Sequence, residues 1–382
     1  MINVFEPIVY PRTMELLEKV HTSKWLGRGE LSNDFDEKLK DYLQLERFGT
    51  ASCASHLIEA VIRVSEFKKG SNIVIPTNSF PIIASVILSE GLGCRVADIS
   101  PETGNICFES VKNVIDENTV AVFITHYGGV PVDVDLLRSI IGTKVRIFED
   151  SATALGTVVD GSSVGSKADF SLWSFDAMKL LVAGEGGGYT SNCEELFNKV
   201  RSHLYLGLRP SEKSGLDKVV NSQKSMWWEY QPENFGTRSV FTNIQAAYGL
   251  GSFEYLEKRL KRLREIRAMY EVGLHDCVSF ISQPESLFEK SITYSNYFCT
   301  IQIEQGKRNA LASYLRENGV YTTLRYFPIS EIPFYAQKCK LPTVLNGTNS
   351  FFAKSLNIPC HSNLADSDVE EIIRLIRKFH VG

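Results

Sequence analysis

From about residue 48 to residue 200 the chain alternates between short, continuously apolar runs and stretches with helical spacing. No other feature constrains the fold as much. SHLIEAVIRVSEF (55–67) sets Leu57, Ile58, Val61, Ile62 and Val64 on one helical face. NIVIP (72–76) is a β-branched run closed by Pro76, and FPIIASVILSEG (80–91) reads as a helix stopped at Gly91. The alternation continues through CRVADI as a strand, FESVKNVID as an amphipathic helix and TVAVFITHY as a buried strand. VDVDLLRSII then reads as a helix and KVRIFED as a strand ending on acid. Strands that are apolar throughout need cover on both faces. Spaced by helices, they imply an α/β fold with a mainly parallel sheet and helices on both sides.

After about residue 250 the texture changes. FEYLEKRLKRLREIRAMYEVGL (253–274) reads as one long charged amphipathic helix leading into a smaller unit, and NYFCTIQI, KRNALASYLRENGV and DSDVEEIIRLIRKF suggest an α+β layer there. With 382 residues the chain is long enough for two domains. The expected division is a large domain over 1–250, N-terminal segment included, and a small C-terminal α+β domain over 251–382. The polar, aromatic-tipped stretch Leu206 to Gly236, with Arg209, Trp227 and Trp228, reads as a long ordered loop of the kind that carries function.

The net charge of −4, with no long run of either sign, leaves no basic footprint for nucleic acid. Neither a signal peptide nor an apolar stretch long enough to span a membrane is apparent, so no membrane partner is expected. The eight cysteines are scattered without a Cys-x-x-Cys pair. That argues against a structural zinc and a disulfide framework, and for a reducing cytoplasm.

In an open parallel sheet, ligands gather at the carboxyl ends of strands. Three features of the sequence belong there. VRIFEDSATALG ends a strand in Glu149 and Asp150; a buried carboxylate needs a partner, and Asp150 is either a helix cap or the mate of a cation. GTASCASHLIEAV sets small residues ahead of a helix, whose free N–H groups form a site for phosphate, with His56 as an ordinary helix residue. WSFDAMKLLVAGEGGGYTSN sets Lys179 between a short aromatic strand and four glycines that read as a loop of tight turns. Lys179 is then either a strand-edge lysine or a desolvated amine that forms a Schiff base. Together the three match a phosphorylated pyridine aldehyde, pyridoxal 5′-phosphate. No GxGxxG follows a strand, so a dinucleotide is the poorer candidate.

Over nearly its whole length the chain resembles the DegT/DnrJ/EryC1/StrS family of pyridoxal phosphate-dependent sugar aminotransferases. The segments that carry the resemblance are SKWLGRGELSNDFDEKLKDYL, VIPTNSFPIIA, THYGGVPVDVD, FEDSATALG, SFDAMKLLVAGEGG, TNIQAAYGL and SLNIPCHSNLADSDVEEII. It implies fold type I, aspartate aminotransferase-like. It also implies that Lys179 holds the cofactor covalently and that Asp150 keeps the pyridine nitrogen protonated. Phe80 would stack on the ring, Ser174 and the N–H groups of Ala54 and Ser55 would bind the phosphate, and Thr153 would line the cofactor. Family members are homodimers with shared active sites, which makes Arg238 a candidate phosphate contact from the partner chain.

Several positions depart from the family pattern. Ser52-Cys53-Ala54 stands where Ser-Gly-Thr is usual, Asp176 and Thr153 stand where other residues are frequent, and Arg238 replaces a frequent Asn. The family's sugar 3-dehydratases place histidine at the lysine position, so Lys179 favours transamination. The implied reaction takes an amino group from an amino acid, most often L-glutamate, to a keto sugar, commonly nucleotide-linked, in amino-sugar or surface polysaccharide synthesis. Three alternatives are a Kdo-type keto sugar acid as acceptor, a dehydratase on the same scaffold, and a non-catalytic protein that keeps the fold.

Overall fold

The computed structural model describes residues 1–208 and 232–381. Its strands, numbered in chain order, begin with β1 (Gly49–Ala51), β2 (Asn72–Pro76), β3 (Gly93–Ala97), β4 (Thr119–Thr125) and β5 (Arg146–Asp150). The short pair β6 (Val158–Val159) and β7 (Ser162–Ser163) precedes β8 (Phe170–Ser174) and β9 (Gly187–Thr190). Last come β10 (Ser279–Phe280), β11 (Ile292–Thr293), β12 (Cys299–Gln302) and β13 (Ser355–Ile358).

Seven strands form the central sheet in the order β1-β9-β8-β5-β4-β2-β3. The pairs β3–β2–β4–β5–β8 are parallel, and β9 alone runs antiparallel to both its neighbours. Alternation along the strands feeds two separate cores. Ile73, Ile75, Phe123 and Phe148 pack on one face with Leu57, Ile58, Val61 and Ile62 of the helix Ala54–Val64. Val74, Val122, Ile124 and Ile147 pack on the other with Val111, Leu137 and Ile141. Burial on both faces is what the uniformly apolar strands require.

A third cluster joins the N-terminal helices Pro11–Ser23 and Glu30–Tyr42 to Asn243–Phe253, Leu256–Leu274 and the C-terminal sheet β10-β12-β13. Phe35 is its keystone, with ring centroids 5.2 Å from Phe175 and 5.1 Å from Phe241. The expected single helix over 253–274 proves to be a break between two. The first begins earlier, at a capping box in which Thr242 and Gln245 satisfy each other's backbone N–H groups, and it ends at Phe253. The second starts at Leu256, after Tyr255 has left helical geometry and stacked on Tyr10 at 3.9 Å.

The glycines after Lys179 also differ from expectation. Only Gly184 has a left-handed φ, at +80°. Gly187 and Gly188 lie inside β9, and these and Gly186 are glycine because neighbours stand where a Cβ would go. That Cβ would meet Phe241 at 2.7 Å from Gly186, the Ala54 backbone at 2.7 Å from Gly187, and Phe48 at 2.3 Å from Gly188. Backbone cannot yield as a side-chain end can. Gly187→Ala is therefore expected to push the start of the helix Ala54–Val64 away from the sheet, at a cost of about 1–3 kcal/mol. Thermal unfolding of the variant checks this, and an unchanged midpoint would refute it. Among the described residues no helix is long and apolar enough to cross a membrane.

Candidate active site

Four parallel strands hand over the chain along one edge of the sheet, and each delivers a site residue there. β2 leads into Thr77–Phe80, β4 into His126, β5 ends on Asp150, and β8 leads through Ser174 to Lys179. The turn after β8 is set by Asp176. Its Oδ1 accepts the Met178 N–H at 2.7 Å, its Oδ2 accepts the Ser174 hydroxyl at 3.3 Å, and its carbonyl accepts the Lys179 N–H at 3.0 Å. The turn folds the lysine side chain inward instead of letting it follow the strand edge.

Lys179 is only 9% exposed. Its Nζ lies 3.8 Å from Asp176 Oδ2 and 5.2 Å from the centre of the Tyr297 ring, whose hydroxyl donates to the Met178 carbonyl at 3.0 Å. Burial draws the amine below the usual lysine range; Asp176 and Asp150 resist that, and Arg325 adds to it. Asp150 is 5% exposed, and burial pushes its carboxyl up, opposed by the Ala152 N–H at 3.0 Å and by Lys179. Amine and acid are thus each driven toward the neutral form. Attachment of an aldehyde to the lysine needs the free base. In the cofactor-free protein, that rate is expected to rise with pH across a window below the ordinary lysine value of about 10.4. Following visible absorbance after mixing at a series of pH values checks the point. A rise confined to the ordinary window would contradict it.

Glu149 and Asp150, adjacent in sequence, part company because successive strand side chains face opposite ways. Glu149 Oε2 accepts the Ser171 hydroxyl at 2.7 Å and Oε1 faces His126 Nε2 at 3.1 Å. His126 Nδ1 accepts the Val132 N–H at 2.9 Å, so its proton sits on Nε2 and points at Glu149. The His126 backbone N–H donates to the Asp150 carbonyl at 3.2 Å. This fully buried network braces the strand end behind Asp150. Thr153 belongs to the same brace: its hydroxyl donates to the His126 carbonyl at 2.8 Å and its carbonyl accepts from Ser295 at 3.1 Å.

Phe80 is exposed at the mouth, its ring 5.7 Å from that of Tyr326. Asn78 Oδ1 accepts the Tyr326 N–H at 2.9 Å, and the Asp150 carboxylate helps to hold the buried Tyr326 phenol well above its usual range, after burial itself.

The helix Ala54–Val64 begins without a side-chain cap from Cys53, leaving its first N–H groups free. Ala54 abuts Gly187, which pairs in register with Ser174. The start of that helix and Ser174 thus lie close together where β8 meets β9. Ser239 joins them, with its hydroxyl 2.8 Å from Ser52 Oγ and 2.8 Å from His56 Nδ1, while Gln245 donates to the Ser52 carbonyl at 3.1 Å. Arg238 beside it is exposed, its guanidinium 5.5 Å from the centre of the Tyr205 ring. Arg209, Trp227 and Trp228 lie outside the described residues.

The sequence reading did not single out His126, Ser239, Tyr297, Arg325 or Tyr326. Ser239 had one available signal, its place next to Arg238. The other four reach the lysine or Asp150 only through the fold.

Residues 8–377 match the profile of the DegT/DnrJ/EryC1/StrS aminotransferase family. The dTDP-4-dehydro-2,3,6-trideoxy-D-glucose 4-aminotransferase of Saccharopolyspora spinosa is 30% identical over 375 residues, 97% of this chain and 95% of that protein. The GDP-perosamine synthase of Vibrio cholerae is 26% identical over 388 residues, covering 99% of each. Among solved structures, the aminotransferase TlmJ of Streptoalloteichus hindustanus superposes with a TM-score of 0.88 at 31% identity, over 99% of this chain and 98% of that one.

Proposed function

The chain belongs to the DegT/DnrJ/EryC1/StrS aminotransferase family, whose members are pyridoxal phosphate-dependent sugar aminotransferases, and from that premise we propose that it carries an amino group from L-glutamate to a 4-keto sugar borne on a nucleoside diphosphate. The observation that carries the reading is the buried Lys179 beside the buried Asp150, at the strand ends where an open α/β sheet binds its ligands. The residues fit the cofactor: an amine drawn toward its free base, an acid without a full counter-charge, an aromatic ring at the mouth and an uncapped helix N-terminus. When bound, the cofactor supplies an electron sink for the bond-breaking at the donor's α-carbon.

The protein's own residues do the rest. Lys179 would hold the cofactor, and its amine, drawn toward the free base, would take a proton from the donor's α-carbon and return one on the other side of the transfer. Asp150 would pair with the pyridine nitrogen and keep it protonated. Ala54, Ser55 and Ser174 would hold the phosphate at the positive end of the helix, with Ser239 and His56 fixing the Ser52 turn. Phe80 would cover the ring, and Thr153 supports Asp150 through His126. Arg238, exposed, would reach the phosphate bound by the partner in a homodimer. The exposed Trp25, Leu26 and Ile244, which flank the start of the helix Asn243–Phe253, favour burial of that face. A large unit ending near residue 250 would carry the lysine and acid, and a smaller one from 251 would contribute Tyr297, Arg325 and Tyr326. All eight cysteines are free, which suits a reducing cytoplasm.

The test is the half-reaction. The yellow holoprotein mixed with L-glutamate alone should lose its visible absorbance and release 2-oxoglutarate in equal amount, and a dTDP- or GDP-linked 4-keto sugar should then restore the colour. No 2-oxoglutarate and an unchanged spectrum would overturn the reading.

A further inference from the structure

β3 is the edge strand of the central sheet, and the chain returns to it after the short helix Pro333–Ala336. The Lys340 N–H donates to the Cys94 carbonyl at 2.8 Å and the Val96 N–H to the Lys340 carbonyl at 3.0 Å, which sets Arg95 opposite Lys340 in parallel register. One position back on both segments stand Cys94 and Cys339. Residues opposite one another in parallel register point to the same face, and both side chains belong to the same apolar cluster. Neighbouring strands run about 4.8 Å apart, inside the roughly 4.4–6.8 Å Cα separation that a disulfide spans. Each thiol acts on the other: the interaction, with burial, holds the Cys94 thiol well above its usual range and draws the Cys339 thiol below its own. Cys339 is the more accessible, 8% exposed against 2%.

We propose that Cys94 and Cys339 form a reversible disulfide that fastens the segment 326–341 to the sheet edge. The segment matters because it runs along the mouth of the site. The Ile329 N–H donates to the Thr77 carbonyl at 3.0 Å, and Tyr326 is held by Asn78 beside Phe80. With a disulfide oxidant such as oxidised glutathione, the Cys339 thiolate attacks one glutathione sulfur and releases one glutathione thiol. Cys94 then displaces the second. The pair gives up two electrons and two protons, the oxidant becomes two thiols, and one S–S bond replaces another. The remaining cysteines take no part.

The experiment treats the holoprotein with oxidised glutathione, blocks free thiols, unfolds it and counts them, then maps non-reduced peptides by mass spectrometry. Titratable thiols should fall by two from eight, and one linked peptide should join Cys94 to Cys339. Added reductant should reverse both. The oxidised protein should melt a few degrees higher, a gain that Cys339→Ala should abolish. Retention of all eight thiols, a link through other cysteines such as Cys299 and Cys360, or glutathione captured on Cys339 alone would each overturn the proposal. The mapping uses the unaltered protein, so it decides the matter even if the variant does not fold.

Discussion

Lys179→Ala is expected to lower turnover by roughly 10⁴-fold and to leave a protein that takes up pyridoxal phosphate without the visible absorbance of a covalent attachment. The geometry explains why so much rests on one side chain. Its Nζ is folded inward by the Asp176 turn, shielded by the Tyr297 ring and drawn toward the free base by burial. Alanine removes both the proposed covalent anchor and the proposed proton carrier. Lys179→Arg sharpens the point, since a guanidinium keeps the charge but stays protonated and should be equally inactive. Neither change should harm the fold much, because an amine buried against such partial compensation contributes little to stability. Circular dichroism with steady-state rates on both variants checks the expectation. Turnover within tenfold of the parent in either would sink the assignment.

Asp150→Asn is expected to lower kcat by about 10²–10³-fold while leaving covalent attachment intact. Asparagine keeps an oxygen for the Ala152 N–H, so the loss isolates the charge. The cofactor-free protein adds a second readout. Because the folded Asp150 carboxyl is raised, its contribution to stability is full below the usual carboxylate value of about 3.9 and is lost as pH rises through the folded value. The asparagine variant should lack that loss, and its melting temperature should fall less between mildly acidic and neutral pH. Lys179 has the opposite sign: its contribution is full above about 10.4 and lost as pH falls through its lowered value. A variant with normal kcat, or with the same pH profile of melting, would remove Asp150 from its role.

Much of this was legible because it is local. Runs such as NIVIP and TVAVFITHY have no polar face, and only a sheet covered on both sides can bury them; Ile73 and Val74 do end in different cores. Lys179 and Asp150 were legible because both sit at strand ends with apolar neighbours, where a charge has no idle place. The glycines were legible as necessary but not in their reason: Gly186, Gly187 and Gly188 answer to Phe241, Ala54 and Phe48, which lie far off in the chain. The break at Tyr255 was hidden for the same cause, since Tyr10 makes it and helical periodicity runs through it undisturbed.

The succession of covered strands and helices follows from hydrophobic period, and the candidacy of Lys179 and Asp150 from the cost of burying charge, both of which act within a few residues. The brace of His126 and Glu149 behind Asp150, the Tyr297 ring beside the lysine, Ser239 on the Ser52 turn and the thiols of Cys94 and Cys339 came only with the folded chain. Their partners stand up to hundreds of residues apart, and a contact across such a span leaves no period or spacing to read.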